Sequence, residues 1–111
     1  MRGAAIIAAG LLLPAAAGAQ TSLSSTIYRC ERGVEIAASF IGAAGSSVAV
    51  IQVEGRQVTL LQEPAASGAR YGWPSDGAGY VFWTKGAEAT VSWRNGAGGE
   101  PVTLYAACRA G

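Results

Sequence analysis

The chain contains no histidine, only two cysteines and a single lysine among its 111 residues. Without histidine, Ser-His-Asp and Cys-His catalytic arrangements are excluded, and so are histidine-ligated metal sites. The net charge is also close to zero, because the chain has eight basic and seven acidic side chains. Nucleic acids and anionic membranes both select partners with a basic excess, so we expect no nucleic acid and no membrane surface as partner.

The N-terminal segment has the composition of a secretory signal peptide. One arginine precedes an apolar run over 4–13, and the small residues Ala17-Gly18-Ala19 offer a cleavage site. The run is shorter than the roughly 20 apolar residues that a membrane-spanning helix needs. We predict a signal peptide (1–19), cleaved before Gln20 or alternatively after Ala17, and a single small domain over 20–111.

The predicted cleavage leaves a neutral, exported protein. Removal of Arg2 leaves seven basic and seven acidic side chains. The cleavage site has no cysteine near it, so we expect a soluble product without a lipid anchor. In an exported protein, the pair Cys30 and Cys108 predicts a disulfide. Two free thiols or a shared metal are the alternatives, but two cysteines without histidine do not complete a zinc shell.

Strand-like segments alternate with turn residues throughout 20–111. Eight segments are rich in β-branched and aromatic residues and are bounded by Gly, Asn, Ser or Asp: 24–30, 33–42, 46–55, 56–62, 69–72, 80–84, 87–94 and 101–109. Their connections are too short for crossover helices, which predicts an all-β antiparallel sandwich or barrel. We favour a small eight-stranded barrel, because closure removes unpaired edges and the disulfide joins the first strand to the last. Such a barrel is filled by side chains and has no ligand cavity.

Two short segments, SGARY at 67–71 and FWTKGAEA at 82–89, hold the few polar groups of interest. The second segment carries the only lysine. As an ordinary hairpin it would direct Phe82 and Trp83 to opposite faces and place Gly86 at a positive φ. In the first segment, Tyr71 would then belong to the core, and Arg70 would be solvated or ion-paired.

One catalytic arrangement survives the absence of histidine, namely Ser67 as nucleophile with Lys85 as base. That chemistry requires a buried, uncharged lysine. A lysine that precedes a glycine on a hairpin turn is instead expected to be exposed and charged. We therefore predict that the protein is not an enzyme, and no motif indicates a cofactor or a metal.

Four patterns occur in a specific order: YRC at 28–30, SGARY at 67–71, FWTKGAEA at 82–89 and AAC at 106–108. Each is weak alone, but the ordered set resembles the MliC/PliC family, bacterial periplasmic inhibitors of C-type lysozymes. The resemblance covers about 26–108 and implies an eight-stranded antiparallel barrel. Without a lipobox, the sequence is more similar to the soluble PliC branch. The turn WPSDGAG at 73–79 is longer than usual for the family.

The resemblance implies a mechanism in which two loops block the lysozyme cleft. That cleft has two carboxylates at its base, and a Lys-Gly turn is slim enough to carry a positive charge to them. Ser67 would form hydrogen bonds in the same cleft, while Tyr71 and Trp83 anchor the loops. The lysozyme-binding residues implied by the resemblance are Ser67, Gly68, Tyr71, Lys85 and Gly86.

A different exported binding module remains the alternative to a lysozyme inhibitor. Its target would be an envelope glycan or another hydrolase. Trp73, next to SGARY, would then stack on sugar rings if its side chain is exposed.

Overall fold

The computed structural model describes residues 20–74, 77–96 and 99–111, so the predicted signal peptide (1–19) lies outside the described residues. Eight strands follow in order: β1 (Thr21–Arg29), β2 (Glu35–Ala43), β3 (Ser46–Val53), β4 (Arg56–Glu63), β5 (Ala69–Gly72), β6 (Ala78–Lys85), β7 (Glu88–Asn95) and β8 (Val102–Ala110). Each strand pairs antiparallel with the next, and β8 pairs with β1 to close a barrel. The predicted fold class is confirmed.

The start of the barrel differs most from the sequence prediction. β1 begins at Thr21 rather than at residue 24, because its Ser/Thr-rich start pairs with β2 as far as Thr21 opposite Ala43. A short 3-10 turn (Glu31–Gly33) separates β1 from β2. Neither feature has a hydrophobic periodicity that would reveal it in the sequence.

Alternation along the strands fills the interior with side chains, as β-strand geometry requires. Ile36 and Ala38 on β2 are buried, and Val34 and Phe40 pack against the same cluster, so these four residues share one face. Phe82 on β6 is fully buried at the centre. The core cluster consists of Tyr28, Cys30, Ile36, Ala38, Ala49, Ile51, Val53, Leu60, Tyr71, Tyr80, Phe82, Ala89, Val91 and Cys108.

The seam between β1 and β8 is the shortest in the barrel, and the disulfide lies beside it. These strands pair at Tyr28 with Ala110 and at Arg29 with Arg109. Cys30 and Cys108 are bonded to each other and both are buried, so the predicted disulfide is confirmed. Because the bond joins residues far apart in sequence, it contributes about 4–5 kcal/mol by the chain-entropy estimate. That contribution supports the seam with the fewest backbone pairs.

The connections of an antiparallel barrel alternate between its two ends. The connection between β4 and β5 and the turn between β6 and β7 share one end, which we call the Lys85 end. The turn between β3 and β4 and the connection between β5 and β6 share the other, the Glu54 end.

The Glu54 end is organised around one carboxylate. The hydroxyls of Tyr80 and Tyr105 donate to Glu54 at 2.5 and 3.0 Å. These hydrogen bonds lower the pKa of the Glu54 carboxyl, and they raise the pKa of each phenol. The network stabilises the tight turn of the β3–β4 hairpin, in which Glu54 and Gly55 both have positive φ.

No helix in the described part of the chain is both long and apolar enough to cross a membrane. The described residues also contain no group of three or more Cys, Asp or Glu side chains placed to hold a metal ion.

Candidate functional site

The Lys85 turn projects from the barrel between β6 and β7. Lys85 pairs with Glu88 at the top of the hairpin, and the residues 85–88 are all exposed. Gly86 has φ 61°, and a Cβ built on it would meet no atom within 4 Å. The expected positive φ is therefore confirmed, and the space beside Gly86 is open.

The Ser67 loop, which enters β5, lies directly against this turn. Ser67 and Gly68 are exposed, and Gly68 has φ 66°. A Cβ on Gly68 would overlap the carbonyl oxygen of Thr84 and lie 2.7 Å from Cγ of Lys85. Only glycine permits this approach, so the absence of a side chain at Gly68 brings the two loops into contact.

Trp83 connects the two loops on the outer face of the barrel. Its Nε1 donates to the carbonyl oxygen of Ser67 at 2.8 Å. The ammonium nitrogen of Lys85 lies 4.7 Å from the centre of its ring, within the range of a cation–π interaction. The neighbouring Phe82 points inwards and is fully buried, so the predicted opposition of these two aromatics is confirmed.

Tyr71 fixes β5 to the barrel interior. It is 6% exposed and its ring packs 5.7 Å from that of Phe40. Its hydroxyl lies 3.5 Å from Oγ of Ser47. The side chain thus belongs to the core, as predicted, and supports the loop from below rather than presenting a surface.

The charge of Lys85 is not neutralised by a neighbouring carboxylate. Its cross-strand neighbour Glu88 is instead paired with Arg109, at 3.3 Å. Within residues 20–74, 77–96 and 99–111, Lys85 forms no ion pair. Its contact with the Trp83 ring leaves the ammonium group available to an external carboxylate.

The arrangement does not form the catalytic pair considered from the sequence. Lys85 is exposed rather than buried. Across the described ranges, no hydrogen bond joins its ammonium group to Ser67. An activated serine requires its base within hydrogen-bonding reach, and this pair does not have that geometry.

The turn at 73–79 was expected from the sequence to be longer than usual for the family. The connection between β5 and β6 that contains it joins these strands at the Glu54 end, so it does not separate the two loops. Its residues Ser75 and Asp76 are outside the described ranges. Trp73 is 54% exposed, at the opposite end of the barrel from Lys85. An exposed Trp73 is the feature that the glycan-binding alternative requires.

Sequence reasoning missed the burial of Glu63 and its pairing with Arg94. Glu63 on β4 is almost completely buried, although its side chain points outwards, and it is paired with Arg70 and Arg94. Arg70 was expected to be solvated or ion-paired, and the ion pair is confirmed. The available signal was Gly72 within β5, because a glycine inside a strand often marks a close approach of other atoms.

Comparison with protein families gives one match over most of the domain. The family described as membrane-bound lysozyme-inhibitor of c-type lysozyme matches residues 28–100. A membrane-bound lysozyme inhibitor of C-type lysozyme from Cupriavidus necator is 33% identical over 64 residues, which is 58% of this chain and 48% of the relative. A protein of the same description from Pseudomonas aeruginosa is 34% identical over 88 residues, 76% of this chain and 63% of the relative. The chain therefore spans about half to nearly two thirds of these relatives.

Solved structures show the same barrel. The periplasmic lysozyme inhibitor PliC-St of Salmonella typhimurium superposes with a TM-score of 0.67 at 22% identity, over 81% of this chain and 99% of that one. Pseudomonas aeruginosa MliC, solved in complex with hen egg white lysozyme, superposes with a TM-score of 0.62 at 27% identity, over 96% and 98% of the two chains. The first likeness shows the fold, and the second is to a protein solved in a complex with lysozyme.

Proposed function

Because the chain belongs to the family of membrane-bound lysozyme inhibitors of C-type lysozyme, we propose that it inhibits a C-type lysozyme by occluding the active-site cleft. The observation that carries this proposal is the contact between two exposed loops that together present Lys85 and Ser67. Relatives are named as inhibitors, which are not enzymes, and one of them was solved with hen egg white lysozyme.

Lys85 supplies the charge for this proposed contact. An ammonium group about 4 Å from a carboxylate is attracted by roughly 4 kcal/mol at an effective dielectric near 20, before desolvation is counted. Gly86 keeps the turn slim enough to enter a cleft. Among the described residues Lys85 forms no ion pair, so binding does not require it to break a salt bridge with any of them.

Ser67 supplies a neutral hydrogen-bonding group beside the charge. Its backbone carbonyl is held by Trp83. Its hydroxyl has no hydrogen-bond partner among the residues that the structure describes. The backbone is thus fixed while the side chain remains available, an arrangement suited to an ordered contact with another protein.

We place the protein in the periplasm, as a soluble product of signal-peptide cleavage. The described relatives are named as membrane-bound or periplasmic inhibitors. A position between the two membranes would put the inhibitor where an incoming lysozyme meets its cell-wall substrate.

A turbidity assay tests the proposal directly. Protein exported from cells that express the full chain should inhibit lysis of bacterial cell walls by a C-type lysozyme in a saturable manner. Lysozymes of the G and I types, assayed in parallel, should be inhibited much less. Binding to an envelope glycan without any inhibition would instead favour the glycan-binding alternative, with Trp73 as its first residue to mutate.

Ser67→Ala is expected to weaken inhibition of the C-type lysozyme by about 1–3 kcal/mol, because it removes one hydrogen-bonding group from a buried contact. Inhibition constants of the two proteins provide the measurement. Ser24→Ala is a matched control, since Ser24 is exposed on β1 and is expected to have no effect. Equal inhibition by Ser67→Ala and the wild type would remove Ser67 from the proposed interface.

A further inference from the structure

An ionic brace of Arg94, Glu63 and Arg70 crosses the outer face of the barrel towards the two loops. Arg94 on β7 reaches over two intervening strands and donates to both carboxylate oxygens of Glu63 on β4, at 3.0 and 2.9 Å. Nε of Arg70 on β5 lies 3.4 Å from the same carboxylate. The side chain of Glu63 is only 6% exposed, so the pair of Glu63 and Arg94 is a desolvated, bidentate interaction rather than an ordinary surface pair.

Gly72 on β5 provides the space that the brace needs. A Cβ built on Gly72 would lie 2.5 Å from Oε2 of Glu63 and 2.9 Å from Nη2 of Arg94. Arg94 forms one end of the brace and also donates to the carbonyl oxygens of Pro74 at 2.8 Å and Gly77 at 3.2 Å. One end of the brace is thereby tied to the connection between β5 and β6.

The other end of the brace holds Arg70 against Trp83. The guanidinium of Arg70 donates to the carbonyl oxygen of Pro64 at 2.6 Å. Its central carbon lies 5.1 Å from the centre of the Trp83 ring, directly across the strand pair. Arg70 therefore has a carboxylate, a carbonyl and an aromatic ring as neighbours. Its Nε contacts Glu63 as an ion pair without a hydrogen bond, so leaving the ring would cost Arg70 that ion pair and its hydrogen bond to Pro64.

We propose that Arg70 is a positioning residue for the proposed inhibitory loops, acting through Trp83. With Arg70 fixed by Glu63, the indole is held at the angle at which its Nε1 reaches Ser67 and its ring supports Lys85. The carboxylate also neutralises Arg70, which reduces repulsion between the two cations beside one ring. This inference rests on the proposed function, since the ordering of the loops matters only if they bind a partner.

A purely structural role would give a different result from a positioning role. Arg70→Gln leaves the bidentate pair of Glu63 and Arg94 in place, so the barrel should unfold at nearly the wild-type temperature. A positioning role changes the hydrogen bond between Trp83 and Ser67 in a barrel that remains folded. The exchange of the indole proton with solvent reports on that bond without any lysozyme present.

Arg70→Gln is expected to raise the exchange rate of the Trp83 indole proton about tenfold in the free protein, while the backbone amide of Phe82 keeps its protection. The inhibition constant for a C-type lysozyme should rise by about fivefold to tenfold, because small misplacements of contact groups weaken binding. This rise should become smaller in a Ser67→Ala background, since residues that act through one another are not additive.

Arg29→Gln is the matched control, because Arg29 is an exposed arginine in an ion pair with Glu35 at 3.2 Å. It carries the same change of net charge and should alter neither measurement. Unchanged indole exchange in Arg70→Gln would overturn the inference, and so would faster exchange with unaltered inhibition. If the wild type itself does not inhibit, the proposed function fails, whereas faster indole exchange would still support the ordering of the loops by Arg70.

Discussion

Lys85→Ala is expected to raise the inhibition constant against a C-type lysozyme by about thirtyfold to several thousandfold, equivalent to roughly 2–5 kcal/mol. The physical reason is that the substitution leaves the lysozyme carboxylates desolvated in the complex without a partner. Lys85 is exposed and has no ion pair within the described ranges, so the free inhibitor should keep its stability. A loss of inhibition without a loss of melting temperature would be the expected combination.

Two further variants sharpen this experiment. Lys85→Arg keeps the charge but replaces a compact ammonium with a planar group, and it should recover only part of the inhibition. Arg56→Ala is the control, because Arg56 is an exposed cation that follows a hairpin glycine at the Glu54 end. If Lys85→Ala inhibits as well as Arg56→Ala does, the Lys85 turn does not enter the cleft.

The barrel itself was predictable because its determinants are local. Each of the eight strands carries β-branched or aromatic residues between turn residues, and short connections leave antiparallel pairing as the only arrangement. The disulfide followed from two cysteines in a chain whose first 19 residues are predicted to be a signal peptide. Burial of Phe82 with exposure of its neighbour followed from the two-residue period of a strand.

The contact between the Ser67 loop and the Lys85 turn could not be read from strand periodicity. It depends on the pairing of β5 with β6, which places Ala69 opposite Thr84, and on a glycine at Gly68 that removes the steric barrier. A short strand such as β5 carries too few residues to fix its register by pattern alone. The resemblance to the inhibitor family implied that the two loops act together, and the close packing at Gly68 gives a physical reason for their contact.

The ionic brace escaped prediction for a related reason. Glu63 and Arg94 lie on different strands with two others between them, and sequence spacing contains no sign of that proximity. An outward-facing glutamate is normally solvated, yet here the carboxylate of Glu63 is buried in the space above Gly72 and paired with two arginines. Charged residues that act across several strands therefore have to be found in three dimensions.

Contact between the two loops makes Gly68 as important to the proposed site as the residues that touch the partner. Gly68→Ala is expected to weaken inhibition of a C-type lysozyme about a hundredfold or more. Alanine at φ 66° costs roughly 1–2 kcal/mol in backbone strain. Its Cβ would also overlap the carbonyl oxygen of Thr84, so the Ser67 loop has to move away from the Lys85 turn. Displacements of about 1 Å are enough to cause losses of this size.

Gly55→Ala separates the effect of strain from the effect of loop displacement. Gly55 has φ 79° at the Glu54 end, and a Cβ there would meet no atom within 4 Å. Both variants should lower the melting temperature through the same strain, but Gly55→Ala should inhibit like the wild type. Melting curves and inhibition constants for the pair provide the measurement. Equal inhibition by the two variants would mean that the close packing at Gly68 serves stability alone, and that Ser67 and Lys85 do not act as one surface.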